Sequence, residues 1–192
     1  MNYNRAYKLA VNLLSSLPND LYYHNVDHTM AVLQACERIY SDENQSDEFQ
    51  LALLKTAALF HDIGYLVQYH RNEEEACKIV ESSLPECDYT RDEIIIINRL
   101  IMATQMPQQP RDLLEKIICD ADLEYLGTTD FDNISDKLFR ELQQRDLVSN
   151  KLDWDKTQIE FLSAHQYWTL SAQQRCGEIK GLNLNKVIQR QT

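Results

Sequence analysis

The amino-acid sequence predicts an all-α fold, with residues 1–192 forming a single domain. Only four Gly and four Pro occur in 192 residues, so the chain has few of the turn signals that separate short strands. Apolar residues recur every three or four positions through most of the chain, which is the period of an amphipathic helix. The stretch Leu51–Phe60 carries one charge, Lys55, and is apolar nearly all round, which is typical of a buried helix.

We expect about eight or nine helices from this periodicity. The predicted segments are residues 3–16, 25–40, 47–61, 72–84, 92–103, 112–126, 130–147, a helix from 153 or 155 through 168, and a short one at 182–188. Pro18 and Pro85 follow the first and fourth helices, and Gly127 ends the sixth. The run Ile94–Ile97 alone would fit a strand, but its flanks extend the segment to helix length.

The formal net charge of −11 argues against a nucleic-acid polymer as the main partner, because binding a phosphate backbone needs a basic surface. A small phosphorylated substrate is compatible, since a metal ion supplies local positive charge. No signal-peptide pattern is present, and no apolar run approaches the ~20 residues that span a bilayer. Five cysteines without CxxC pairing indicate reduced thiols. We therefore expect a cytoplasmic protein with no membrane partner, whose oligomeric state the sequence leaves open.

Ionisable residues lie within apolar helices at three places in the chain. His61 and Asp62 end the most apolar helix, where both are costly to bury unless each has a partner. His28 lies on the apolar stripe of the second helix. Asp120 and Asp122 flank the apolar stripe of the sixth helix on opposite sides, and helical periodicity does not choose between them. A shared divalent metal ion explains the pattern, and the donor types suit Mn, Fe, Ni, Co, Zn or Mg equally.

The order of these motifs resembles the HD-domain superfamily of metal-dependent phosphohydrolases, and within it a bacterial subgroup. The matching segments are Tyr23–Thr29 (YHNxxHT), Phe60–Tyr65 (FHDxGY), Ile101–Pro107 (IxATxxP), Cys119–Gly127 (CDADLxxLG) and His165–Thr169 (HxYxT). The resemblance covers about residues 20–175. Each segment alone is a weak signal, whereas the combination in this order is specific.

The resemblance implies a metal site and a reaction. The implied ligands of the divalent ion are His28, His61, Asp62 and Asp122. Asp122 is favoured over Asp120 because the ligand in similar proteins follows the Ala of an Ala-Asp-Leu segment. His24 matches the position of a proton donor to the leaving group in related phosphodiesterases.

We therefore predict hydrolysis of a small phosphate ester, such as a nucleotide or a related metabolite, by a metal-activated water. Asp62 or Asp122 is the candidate acceptor of the water's proton, and His24 is the candidate donor to the leaving group. Three further residues are candidates to bind the substrate: Arg71, Asn72 and Thr104.

Two departures from the subgroup's pattern leave alternatives open. Asn72 stands where the subgroup has a His that serves a second metal or the phosphate, and Gln105 replaces a Lys. The site therefore holds either one ion or two. The chain is alternatively a regulatory module that binds metal or nucleotide with little catalysis, or a two-iron oxygenase, although the latter lacks the fifth His.

Overall fold

The computed structural model describes residues 1–191, which form nine α-helices and three 3₁₀ turns and contain no strand. The helices are α1 (Tyr3–Leu14), α2 (Val26–Asp42), α3 (Glu48–Phe60), α4 (Asn72–Ser83), α5 (Arg91–Ala103), α6 (Leu113–Asp122), α7 (Phe131–Gln143), α8 (Lys151–Ala164) and α9 (Leu170–Gln189). The 3₁₀ turns are Ile63–Leu66, Leu84–Cys87 and Glu124–Gly127. The all-α prediction is confirmed.

Helix α3 lies in the centre of the main apolar cluster, which α1 to α6 build around it. Every residue from Thr56 to Phe60 is buried. The one hydroxyl in this run, that of Thr56, lies 2.7 Å from both the Ala52 carbonyl oxygen and the Tyr89 hydroxyl oxygen. Lys55 pairs with Glu37 on α2. The buried helix expected from the sequence is therefore present, and His61 follows it directly into the core.

A second apolar cluster forms beyond α6. It contains residues of the Glu124–Gly127 turn and of the three last helices: Leu123, Leu126, Phe131, Leu162 and Val187. Gly127 lies so close to α9 that a Cβ atom there would be 2.4 Å from the Cβ of Cys176. The turn therefore packs directly on α9, which fixes where the segment after α6 can run.

The predicted bounds of the last helices were wrong. Helix α8 ends at Ala164, not at Trp168, and α9 starts at Leu170 and runs 20 residues, where a short helix at 182–188 was expected. The Asp120 carboxylate accepts hydrogen bonds from the Trp168 and Thr169 amides, at 2.8 and 2.7 Å. This contact holds the chain extended between the two helices. Trp168, in this extended segment, is 39% exposed.

The IIII segment is helical, as its flanks predicted. Thr90 and Glu93 form a capping box at the start of α5, in which each side chain accepts a hydrogen bond from the other residue's amide. None of the helices within residues 1–191 combines the length and the apolar character needed to cross a bilayer.

Candidate metal centre

The four side chains predicted to bind metal meet where α2, α3 and α6 converge. The Nε2 atoms of His28 and His61 lie 3.3 Å apart. Asp122 Oδ1 is 3.2 Å from the first of these nitrogens and 3.6 Å from the second. Asp62 Oδ2 is 3.3 and 3.2 Å from the same two atoms. Donor atoms of His28, His61 and Asp122 all lie within 4.8 Å of one another, and Asp62 adjoins them.

The hydrogen bonds around these donors fit a bound cation. His61 Nδ1 lies 2.8 Å from the Ala58 carbonyl oxygen, so this nitrogen carries the proton and Nε2 presents its lone pair. Asp62 Oδ2 is buried and has no hydrogen-bond partner among residues 1–191. Such an oxygen, facing two imidazole nitrogens, is costly to bury unless a cation lies between them. The set of two imidazoles and two carboxylates suits a divalent metal ion.

The electrostatics of the cluster also favour a cation. Burial favours the neutral form of His61, but the Asp62 and Asp122 carboxylates outweigh it and raise the pKa of His61 well above its usual value. The pKa of His28 is raised for the same reason. Burial opposes ionisation of Asp62, yet the facing imidazoles hold the pKa of Asp62 well below its usual range. Protons therefore compete with a metal ion for this site.

The structure separates Asp120 from Asp122. Asp120 is fully buried and accepts hydrogen bonds from the Thr169 amide and hydroxyl, both at 2.7 Å. Burial raises the pKa of Asp120 to about 6. Asp120 thus anchors the segment before α9, and Asp122, two residues on, faces the histidines. Helical periodicity did not distinguish Asp120 from Asp122. The hydrogen bond from the Thr169 amide, 49 residues along the chain, holds Asp120 away from the histidines.

His24 is held beside the metal ligands by Glu141, a residue of α7 that sequence reasoning missed. The Glu141 side chain is fully buried and pairs through Oε1 with His24 Nδ1. Oε1 also accepts a hydrogen bond from the Tyr69 hydroxyl at 2.9 Å. Oε2 accepts the Tyr23 and His24 amides at 2.8 and 3.1 Å. Burial works against the Glu141 carboxylate, but these donors lower the pKa of Glu141.

A cavity of about 300 Å³ joins His24 to the metal ligands. Asp62, Asp122 and Thr104 line it, as does Glu73 in the first turn of α4. Burial, followed by the charges of Asp62 and Asp122, raises the pKa of Glu73. Glu73 is the second residue that sequence reasoning missed.

With this geometry established, sequence comparison identifies the family. A sequence model of the HD domain matches residues 25–124, which carry all four candidate ligands. The chain belongs to the HD-domain family. This membership supports a metal-dependent hydrolase, whose metal the donor set does not identify.

One solved structure has the same fold as this HD domain. It is described as the crystal structure of a predicted HD superfamily hydrolase from an uncultured Thermotogales bacterium. The TM-score is 0.62 at 17% sequence identity, over 97% of this chain and 89% of the other. No curated protein sequence gives a significant match to the chain.

Of the three residues predicted to bind the substrate of this HD domain, two lie at the metal centre and one does not. Asn72 is buried at the start of α4 and donates a hydrogen bond through Nδ2 to Asp62 Oδ1 at 3.4 Å. Thr104 is buried and lines the cavity. Arg71, in contrast, is 69% exposed, pairs with Glu74 and does not line the cavity. His70 is exposed as well. The structure thus brings Asn72 and Thr104 to the site and leaves Arg71 outside it.

Gly64 brings Asn72 to Asp62. It lies in the Ile63–Leu66 turn, and a Cβ atom there would be 1.8 Å from the Asn72 carbonyl oxygen. Its φ is not positive, so close approach rather than backbone strain requires glycine. The turn after the His-Asp pair therefore packs directly on the first turn of α4.

Proposed function

We propose that this protein hydrolyses a small phosphate ester, such as a nucleotide or a related metabolite, with one divalent ion bound by His28, His61, Asp62 and Asp122. The observation that carries the proposal is the meeting of two imidazole nitrogens and two carboxylate oxygens beside the cavity that His24 lines. When bound, the ion polarises the phosphate and lowers the pKa of the attacking water.

The reaction requires one proton to leave the water and one to reach the leaving group. The water oxygen forms a bond to phosphorus, and the bond from phosphorus to the ester oxygen breaks. His24 gives a proton to the departing alkoxide. Glu141 engages His24 Nδ1, so Nε2 is the ring nitrogen that serves the substrate. Glu141 is in this way a positioning residue, which fixes the ring by a buried carboxylate.

Three carboxylates are candidates to accept the water's proton. Asp62 and Asp122 are the acceptors that the sequence suggests, and Asp62 Oδ1 adjoins Asn72 Nδ2. Glu73 lines the same cavity, and its pKa is raised whereas those of Asp62 and Asp122 are lowered, so Glu73 is the strongest base of the three. Gln105 Nε2 donates to Glu73 Oε2 at 3.4 Å, a neutral contact where the subgroup's Lys would place a charge. The Glu73→Gln variant tests whether Glu73 or a metal-binding carboxylate accepts the proton, because it removes the Glu73 carboxylate and leaves all four metal ligands in place.

A binding module with little turnover is the second candidate. The observation that favours it is Asn72, whose amide contacts Asp62 where the subgroup has an imidazole. It predicts calorimetric binding of Mn²⁺ and of a nucleotide, with no phosphate released.

Phosphate release from the metal-loaded protein tests the proposed function. Protein purified without chelator is loaded in turn with Mn, Fe, Co, Ni, Zn or Mg and assayed with generic phosphate esters and nucleotides. We expect metal-dependent release that the His61→Ala variant loses. The exposed His70 gives a matched control, and His70→Ala should retain full activity. Absence of turnover with every metal and every ester would contradict hydrolysis and leave the binding module.

A further inference from the structure

The cavity beside the metal ligands continues between α7 and α8. Phe131, Leu138 and Leu142 line it from the α7 side. Their spacing of seven and four places them on one face of that helix. From the α8 side, Trp154 and Phe161 line it at a similar helical spacing. Part of the second apolar cluster, including Phe131 and Phe161, thus lines a pocket that opens onto the metal ligands.

The walls formed by α7 and α8 contribute no charged side chain. No Lys or Arg is among the residues of the described chain that line the cavity. Its acidic residues are those at the metal centre and Glu73. Gln158 is the buried amide in the wall, and its two polar atoms are already engaged, Oε1 by the Ser135 hydroxyl at 2.7 Å and Nε2 by Asp155 at 3.3 Å. A polar group placed against the α7 face would lose its water without gaining a side-chain partner from that helix, whose lining residues are all apolar.

These constraints select among phosphate esters. A divalent ion would be the positive charge nearest the phosphate. A nucleoside polyphosphate brings further negative charges, for which no Lys or Arg lines the cavity. An alkyl or aromatic group, in contrast, gains by leaving water. A cavity of about 300 Å³ is at the lower end of the about 300–1,000 Å³ typical of small-molecule pockets.

We propose that the substrate is a phosphate ester of an apolar alcohol, with its alkyl or aromatic group bound between α7 and α8. This inference rests on the proposed function, since the phosphate would be held by the divalent ion that the four ligands bind. Hydrolysis then transfers the phosphate to water, and His24 protonates the apolar alkoxide, which leaves as the alcohol.

Binding of phosphonates, whose carbon–phosphorus bond is not an ester, tests the pocket without turnover. Methyl-, butyl-, hexyl- and phenylphosphonic acid and AMP are titrated calorimetrically into the Mn²⁺-loaded protein. We expect the affinity to rise by about fourfold per methylene until the pocket is filled. Hexylphosphonic acid should therefore bind at least a hundredfold more tightly than methylphosphonic acid, and more tightly than AMP.

Two variants test whether the apolar group binds between α7 and α8. Leu138→Trp fills the pocket from α7, so the preference for hexyl over methyl should fall at least tenfold. Leu152→Trp is the matched control, because Leu152 lies on α8, is 53% exposed and does not line the cavity. Should Leu138→Trp not fold, Phe161→Ala removes a wall instead and should shift the best chain length upward.

The outcomes distinguish this inference from the proposed function. Equal affinity across chain lengths, or tighter binding of AMP, overturns the apolar pocket while leaving ester hydrolysis intact. Failure of every phosphonate to bind the Mn²⁺-loaded protein, together with no ester turnover, overturns the proposed function itself. An affinity that rises with chain length and is unaffected by both Leu138→Trp and Phe161→Ala would show that the alkyl group binds elsewhere.

Discussion

Replacing Gly64 by Ala tests how the turn after the His-Asp pair is packed. The new Cβ would lie 1.8 Å from the Asn72 carbonyl oxygen and 2.8 Å from the Ala76 amide nitrogen. Both are backbone atoms, so no side chain can rotate away. The first turn of α4 would have to move by about 1.5 Å in a core packed as densely as a crystal.

This displacement sets the size of the effect. Overpacking of a core typically costs about 1–3 kcal/mol, and a forced backbone movement puts Gly64→Ala at the upper end, about 3 kcal/mol. For a chain of this length the melting temperature should fall by about 6–12 °C. Because Asn72 moves with α4, its hydrogen bond to Asp62 weakens and metal affinity should fall too.

Thermal and urea unfolding, with metal affinity by calorimetry, provide the assay. Gly177→Ala is the matched control, because Gly177 lies within α9 and nothing lies within 4 Å of its added Cβ. That change should stabilise the protein by about 0.5–1 kcal/mol through helix propensity. A Gly64→Ala protein as stable as the wild type would refute the close packing of the turn on α4.

Glu141→Gln should lower the free energy of unfolding by about 2–4 kcal/mol at pH 7 and reduce kcat more than it changes KM. Since the fold lowers the pKa of Glu141, its stabilisation should disappear as pH falls below about 4.3, where wild type and variant converge. Burial, and then the charge of Lys180, lowers the pKa of His165 to about 4. Between pH ~6.5 and 4 the imidazole is therefore protonated in the unfolded chain but not in the folded one. The wild type should lose stability as the pH falls through this range, and His165→Gln should lose less. Asn72→His should raise the bound metal towards two ions per chain, measured by elemental analysis.

Each of these predictions has an outcome that contradicts it. A Glu141→Gln protein with unchanged kcat would remove Glu141 from the positioning of His24. Parallel pH–stability curves for wild type and His165→Gln would show that His165 titrates alike in both states. An Asn72→His protein with the wild-type metal content would show that the imidazole cannot reach a second ion.

Local pattern was sufficient to locate the centre of the fold. Helix α3 is apolar all round, so its burial and the awkward position of His61 and Asp62 could be inferred from composition alone. The role of Asp120 could not be inferred from its own segment, because it depends on a hydrogen bond from Thr169, far along the chain. The length of α9 was predicted too short for a related reason. Its polar sequence, with Gly177 and Gly181, gives a weak helical signal, and the helix is stabilised by packing on the Glu124–Gly127 turn.

At the candidate site, too, some residues could be predicted from the sequence and others depend on distant contacts. His28, His61 and Asp62 stood out as ionisable residues in apolar segments, and the resemblance to the HD-domain family implied that Asp122 rather than Asp120 joins them. Glu141 lies in the polar run RELQQR, where nothing marks one carboxylate as buried. Its burial arises from Tyr23, His24 and Tyr69, which approach it from other parts of the fold.

The metal content of protein purified without chelator tests the central claim most directly. Elemental analysis of the wild type should find about one divalent ion per chain, as expected for a preformed site of four ligands. The His61→Ala variant should retain almost none, and His70→Ala should retain the wild-type amount. A wild type that binds no divalent ion after loading, or a His61→Ala protein with undiminished metal, would show that the residues around His61 and Asp62 are not a metal centre.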